Sequence, residues 1–227
     1  MQPGALGTKA DEFDVPTPAL GGGWLRGAMS LCLVVVLFAT LAGQASASTT
    51  TTSVAPGNLI VNGSFESPSV AAATYRLWST DQSFLGWRVV GAAGNVAIVE
   101  GTFAQNGFRF PAGAGKQWLD LTGVSNTPTG VQQTVKTTVG RTYTLRFLVG
   151  NVVDPGGIFG VKSTVDVLVD GTRVFVATNS AGSGKKVLIW KRYTVTIAAS
   201  SGETSVAFIN GDPLNDTSNG LDDISLR

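Results

Sequence analysis

The chain has 227 residues, 43% of them hydrophobic and 14% charged, which is material for one domain with its own core and extra segments. Its formal charge of +1, with no basic cluster longer than Lys185-Lys186 or Lys191-Arg192, excludes the electrostatic footprint of a nucleic-acid binder. The absence of histidine and the single cysteine, Cys32, exclude Ser-His-Asp and His-ligated zinc chemistry, and 29 glycines speak for many turns rather than long helices.

From Ala28 to Ala42 the chain is apolar, and Ala45-Ser46-Ala47 follows as an A-x-A cleavage site. The reading is a secretory signal peptide over residues 1–47, cut after Ala47, with secretion to the extracellular space or the cell surface. Its n-region is atypically long and carries Asp11, Glu12 and Asp14 against Lys9 and Arg26, which places the true start nearer Leu20 or Leu25. The apolar run falls short of the roughly 20 residues that span a bilayer. Cleavage removes two positive and three negative charges, taking the net from +1 to +2, and removes Cys32. No disulfide is then available to the mature chain. Residues 48–57 are Ser/Thr-rich and without apolar period, which reads as a disordered linker.

The domain proper is expected over 58–227. Short alternating runs at Lys116–Leu121, Val131–Val135, Thr142–Val149, Thr164–Val169, Thr172–Ala177, Trp190–Ile197, Ser205–Asn210 and Leu221–Leu226 predict eight or nine antiparallel strands and no helix. Tyr143, Leu145, Phe147 and Val149 share one face, as do Val165, Val167 and Val169. Asp170-Gly171 marks a two-residue hairpin turn, since a type I′ turn needs positive φ at both positions. Three longer loops carry chemistry: 101–115 with Phe103, Phe108, Arg109 and Phe110; 150–162 with Asn151, Asp154 and Phe159; and 211–220 with Asp212, Asn215, Asp216 and Asn219.

The opening Asn-Leu-Ile-Val-Asn-Gly-Ser-Phe-Glu at 58–66, Gly86-Trp87, Trp118-Leu119-Asp120-Leu121, Gly130-Val131-Gln132-Gln133 and the closing Leu-Asp-Asp-Ile-Ser-Leu at 221–226 resemble the galactose-binding-like jelly rolls of secreted proteins. Among these are the plant cell-wall domain of unknown function and the bacterial choice-of-anchor type, with a further similarity to carbohydrate-binding modules attached to xylanases and glucanases. The resemblance covers 58–227. It implies a jelly-roll β-sandwich, often with a structural calcium, and frequently a role in binding polysaccharide.

Glu66 and Asp222 stand at the positions where that family places oxygen ligands, which makes them the candidate calcium pair. The alternative is that Glu66 caps a turn and Asp222 accepts a lysine or backbone amides; a shared inward parity of Asp222 with Ile224 and Leu226 favours calcium. For a sugar, aromatic faces stack while polar groups orient hydroxyls. Trp118 is out of phase with Leu119 and Leu121 and shares a face with Asp120, so it either presents a platform or packs under a loop. Trp78, Phe108, Arg109, Phe110 and Trp190 complete the ligand-binding candidates, while Trp87 reads as core because it leads into Val89-Val90. Catalysis has only paired carboxylates to draw on and nothing singles out a pair. The expectation is a secreted, non-catalytic carbohydrate-binding domain, the alternative being a structural or adhesive extracellular protein with a protein partner.

Overall fold

The structure is a computed structural model that describes residues 57–154, 159–212 and 218–227. The expected signal peptide, and the linker up to residue 56, lie outside the described residues. In chain order the strands are β1 (Tyr75–Ser79), β2 (Ser83–Phe84), β3 (Trp87–Gly91), β4 (Asn95–Glu100), β5 (Ala104–Gln105), β6 (Phe108–Arg109) and β7 (Gln117–Asp120). They continue with β8 (Thr129–Lys136), β9 (Thr142–Asn151), β10 (Ser163–Val169), β11 (Thr172–Asn179), β12 (Ile189–Ala198), β13 (Glu203–Asn210) and β14 (Gly220–Leu226).

Two six-stranded antiparallel sheets, in the orders β1-β4-β7-β14-β9-β12 and β11-β10-β13-β8-β3-β2, form an all-β jelly-roll sandwich, with β5 and β6 as a separate hairpin. No helix occurs among the described residues. All eight runs read from the sequence are strands, and the total is larger than eight or nine because short pieces such as β2, β5 and β6 add to it. Strand β4 escaped the alternation test for a physical reason. Its residues Val96, Ala97, Ile98 and Val99 are buried on both faces, so it is apolar throughout.

The inner faces meet in one core. Tyr143, Leu145, Phe147 and Val149 of β9 face Val165 and Val167 of β10, with Trp87 and Phe208 among the largest buried rings. Phe147 packs edge-on to Phe208 at 5.1 Å, and Trp87 meets Phe65 at 5.6 Å. Val169 pairs with Thr172 across Asp170 and Gly171, whose φ values of 48° and 80° are those of the expected type I′ turn.

The opening segment lies along β14 but is not itself a strand. Leu59 N–H donates to Leu226 O (2.9 Å), Leu226 N–H to the Asn58 side chain (2.9 Å), and Ile224 N–H to Gly63 O (3.0 Å). Strand β14 sits between β7 and β9, so this pairing fixes the first residues of the domain to the middle of a sheet. One expectation fails here. The register slips between Asp222 and Ser225, and Asp223 adopts φ 48°. This bulge puts Leu221, Ile224 and Leu226 in the core while Asp222, paired with Leu148, faces the opposite side.

Candidate active site

The outer face of the first sheet carries a second, smaller apolar cluster: Ala97, Val99, Phe108, Phe110, Trp118, Val152, Phe159 and Leu188. Alternation along each strand dictates this. Ile98 and Leu119 point into the main core, so Ala97, Val99, Trp118 and Asp120 point out. Cross-strand pairing aligns them in two rows, Tyr75–Val99–Trp118 and Leu77–Ala97–Asp120–Gly220–Gly150–Trp190. The two glycines leave the floor of the second row shallow, and the Trp190 indole lies in that space. A Cβ on Gly150 or Gly220 would stand 2.9 Å from its ring.

The roof comes from the hairpin of β5 and β6. Its turn, Asn106-Gly107, has φ values of 52° and 79°, and its far side is pinned where Leu188 N–H donates to Arg109 O (2.9 Å). Phe110 stacks on Trp118 (6.3 Å, 18°), Phe103 meets Phe110 (5.6 Å), and Phe159 sits edge-on to both Phe110 (5.4 Å) and Phe108 (5.2 Å). Trp118 Nε1 donates to Phe110 O (3.0 Å) and Trp190 Nε1 to Pro111 O (2.9 Å), so the floor holds its own roof.

Between floor and roof is a cavity of about 290 Å³ lined by five aromatic residues (Tyr75, Phe103, Phe110, Trp118, Phe159) and by polar Gln105, Asp120, Asn126 and Ser218. Described residues from each of the three long loops, Phe103 and Phe110, Phe159, and Ser218, thus meet at one place. Asp120 is almost fully buried, and its Oδ1 accepts from Thr122 N (3.0 Å) and Thr122 Oγ1 (2.7 Å). A single carboxylate at the edge of an aromatic box can take up or give a proton beside rings whose faces attract positive charge.

Of the candidates named from the sequence, Trp118, Asp120 and Phe110 line the cavity. Phe108 and Trp190 stand directly behind it, against Phe159 and Trp118. Trp118 is 1% exposed, so it packs under a loop and is no open platform. Arg109 is exposed on the hairpin and Trp78 belongs to the main core against Phe84 (5.1 Å), so neither lines the cavity. Trp87 is core, as read. Tyr75, Asn126 and Ser218 were missed, since nothing local marks a residue that only cross-strand pairing or loop convergence delivers. The Asn106-Gly107 dipeptide is a hairpin signal that the sequence did show.

Glu66 and Asp222 converge on one stretch of chain from two sides. Asp222 Oδ2 accepts from Gly113 N and Ala114 N (both 2.8 Å) and Oδ1 from Asp223 N (2.7 Å). Glu66 Oε1 accepts from Lys116 N (2.8 Å) and Gln117 N (2.9 Å). Burial pushes the Asp222 carboxyl up to about 7, against the pull of its three amide donors. Among the described residues no group of three or more His, Cys, Asp or Glu could hold a metal. The printed partners of both carboxylates are backbone amides, which is the alternative to calcium set out for this pair.

A family model described as HpiC1 cyclase matches residues 57–227. The chain belongs to the HpiC1-like family. A cyclase from Fischerella sp. TAU, solved with 4-(1H-indol-3-yl)butan-2-one, is 20% identical over 76% of this chain and 97% of its own, with a TM-score of 0.54. The Stig cyclase Fisc from the same organism, solved with (3Z)-3-(1-methyl-2-pyrrolidinylidene)-3H-indole, is 19% identical over 74% and 95%, with a TM-score of 0.52. A family 35 carbohydrate-binding module from an environmental isolate follows at 15% identity over 66% and 92%, with a TM-score of 0.42. No curated protein matches.

These matches correct the sequence reading in two respects. The jelly roll stands, but its family is HpiC1-like rather than the plant cell-wall or choice-of-anchor type. The expectation of a non-catalytic protein is overturned, because the family and the Fischerella structures are cyclases. The physical reason is plain. Excluding histidine and cysteine removes nucleophilic and zinc chemistry, whereas ring closure by proton transfer needs only one well-placed acid or base.

Proposed function

We propose that this HpiC1-like protein is an acid–base cyclase for a small, mostly apolar substrate carrying an aromatic ring, bound between Trp118 and the β5–β6 hairpin. The observation that supports it is a cavity lined by five aromatic residues together with the buried carboxylate of Asp120. Ring closure without change of oxidation state needs a proton delivered to an electron-rich double bond, a new C–C bond formed at the resulting cation, and a proton lost. Substrate and product are isomers. Asp120 carries the proton, and the faces of Trp118 and Phe110 stabilise the cation while the enclosing walls keep water from trapping it. For glycan binding, expected from the sequence, Trp118, Phe110 and Phe159 are buried, and Tyr75 is the exposed aromatic among the cavity's described residues.

The test is to titrate the full chain with 4-(1H-indol-3-yl)butan-2-one, the ligand of the Fischerella cyclase, and to incubate it with indole-bearing alkenes, looking for product of unchanged mass and altered retention. Wild type is expected to bind at one site. Trp118→Leu should weaken binding by about tenfold, as loss of a stacking ring would, and Asp120→Asn should lower turnover by about 10²–10⁴ with little change in binding. Retention on insoluble polysaccharide without any indole binding would reverse the reading.

Calcium at Glu66 and Asp222 is proposed with it, on their convergence around residues 113–117. Calcium should raise the melting temperature and a chelator lower it, with both effects lost in Glu66→Gln. An unchanged melting curve in excess chelator would remove the metal.

A further inference from the structure

Asp212 is the most buried acid in any ion pair among the described residues. Its carboxylate is 4% exposed and its Oδ1 lies 3.2 Å from Lys162 Nζ, whereas the acids of the other pairs are 21% to 77% exposed. Its second oxygen, Oδ2, is buried with no hydrogen-bond partner, and so is Oδ1 of Asn219. Both residues lean on Asn210, whose Oδ1 accepts from Asp212 N (3.1 Å) and Asn219 Nδ2 (3.1 Å). The Lys162 side chain is 50% exposed, so water screens its attraction for the carboxylate, while the buried Oδ2 left without a partner costs stability that the pair does not offset. The pair therefore calls for a role other than stability.

Its placement supplies one. Lys162 stands three residues after Phe159, which meets Phe110 and Phe108, and Asp212 shares the Asn210 side chain with Asn219, the neighbour of the cavity residue Ser218. The ion pair thus ties the segment after Phe159 to the Asn210–Asn219 pair beside Ser218. We propose that Lys162 and Asp212 are positioning residues: their ion pair holds Phe159 and Ser218 at the spacing that shapes the cavity, at a cost to stability. This rests on the cavity being the active site, as proposed above.

The experiment compares full-length wild type, Lys162→Arg and the double variant Lys162→Met/Asp212→Leu by melting temperature, hydrogen exchange and titration with 4-(1H-indol-3-yl)butan-2-one. The double variant should melt at or above the wild-type temperature. It should nonetheless exchange faster at 159–163 and 103–111 and bind the indole ketone on the order of threefold to thirtyfold more weakly. Lys162→Arg should restore both. If wild type does not bind the ketone, the substrate reading fails, while the exchange pattern still decides the clasp. Wild-type exchange at those two segments in the double variant, or faster exchange spread over the whole domain together with a lower melting temperature, would overturn it.

Discussion

At the scale of single residues, Asp222 shows how burial and hydrogen bonding oppose each other on one carboxylate. Three amides favour the charged form, yet complete burial outweighs them and lifts the carboxyl to about 7. In the unfolded chain an aspartate titrates at about 3.9. Between these values the folded state holds a proton that the unfolded state has lost. The contribution to stability is therefore fully present below about pH 4 and is lost as the pH rises through about 7. Melting measured across that window in chelator should show this downward slope in wild type and a flatter profile in Asp222→Asn. Equal slopes would place the titrating group elsewhere. Asp222 was legible as an important acid, but its direction was not, because the Asp223 bulge reverses the parity on which the inward assignment rested.

At the scale of elements, the candidate site exists because one sheet is apolar on both faces. Strands β4 and β7 send Ile98 and Leu119 inward and Ala97, Val99 and Trp118 outward, and the β5–β6 hairpin covers what would otherwise be an exposed apolar patch. The glycines at 150 and 220 matter as much as the aromatics. Replacing Gly220 by Ala would bring a Cβ within 2.9 Å of Trp190 and 3.1 Å of Gly150 Cα. The expected cost is about 1–3 kcal/mol, read in denaturant titration together with a changed Trp190 fluorescence. An unchanged midpoint and spectrum would mean that the indole does not depend on that floor. The sequence made these strands visible by their alternation and the three loops by their length. It could not show that the loops converge, since that follows from the order β1-β4-β7-β14-β9-β12, which no local pattern encodes.

For the whole molecule, the jelly roll explains both what sequence reasoning saw and where it stopped. The opening and closing segments of the domain do lie together, with Leu59 on Leu226 and Asn58 bridging to Ile224 and Leu226, and the all-β sandwich was readable from turn spacing and period-two runs. Function was not readable in the same way, because a jelly roll as such does not decide between glycan binding and catalysis. What separates the two roles is where the aromatic side chains go. Here Trp118 and Phe110 are turned under a hairpin around Asp120 instead of lying open on a sheet face. The measurement that tests this most directly is calorimetric titration of the full chain with 4-(1H-indol-3-yl)butan-2-one, in wild type and in Trp118→Leu. Saturable one-site binding in wild type, weakened about tenfold in the variant, is the predicted result. No saturable binding in wild type, or equal affinity in both proteins, would contradict it.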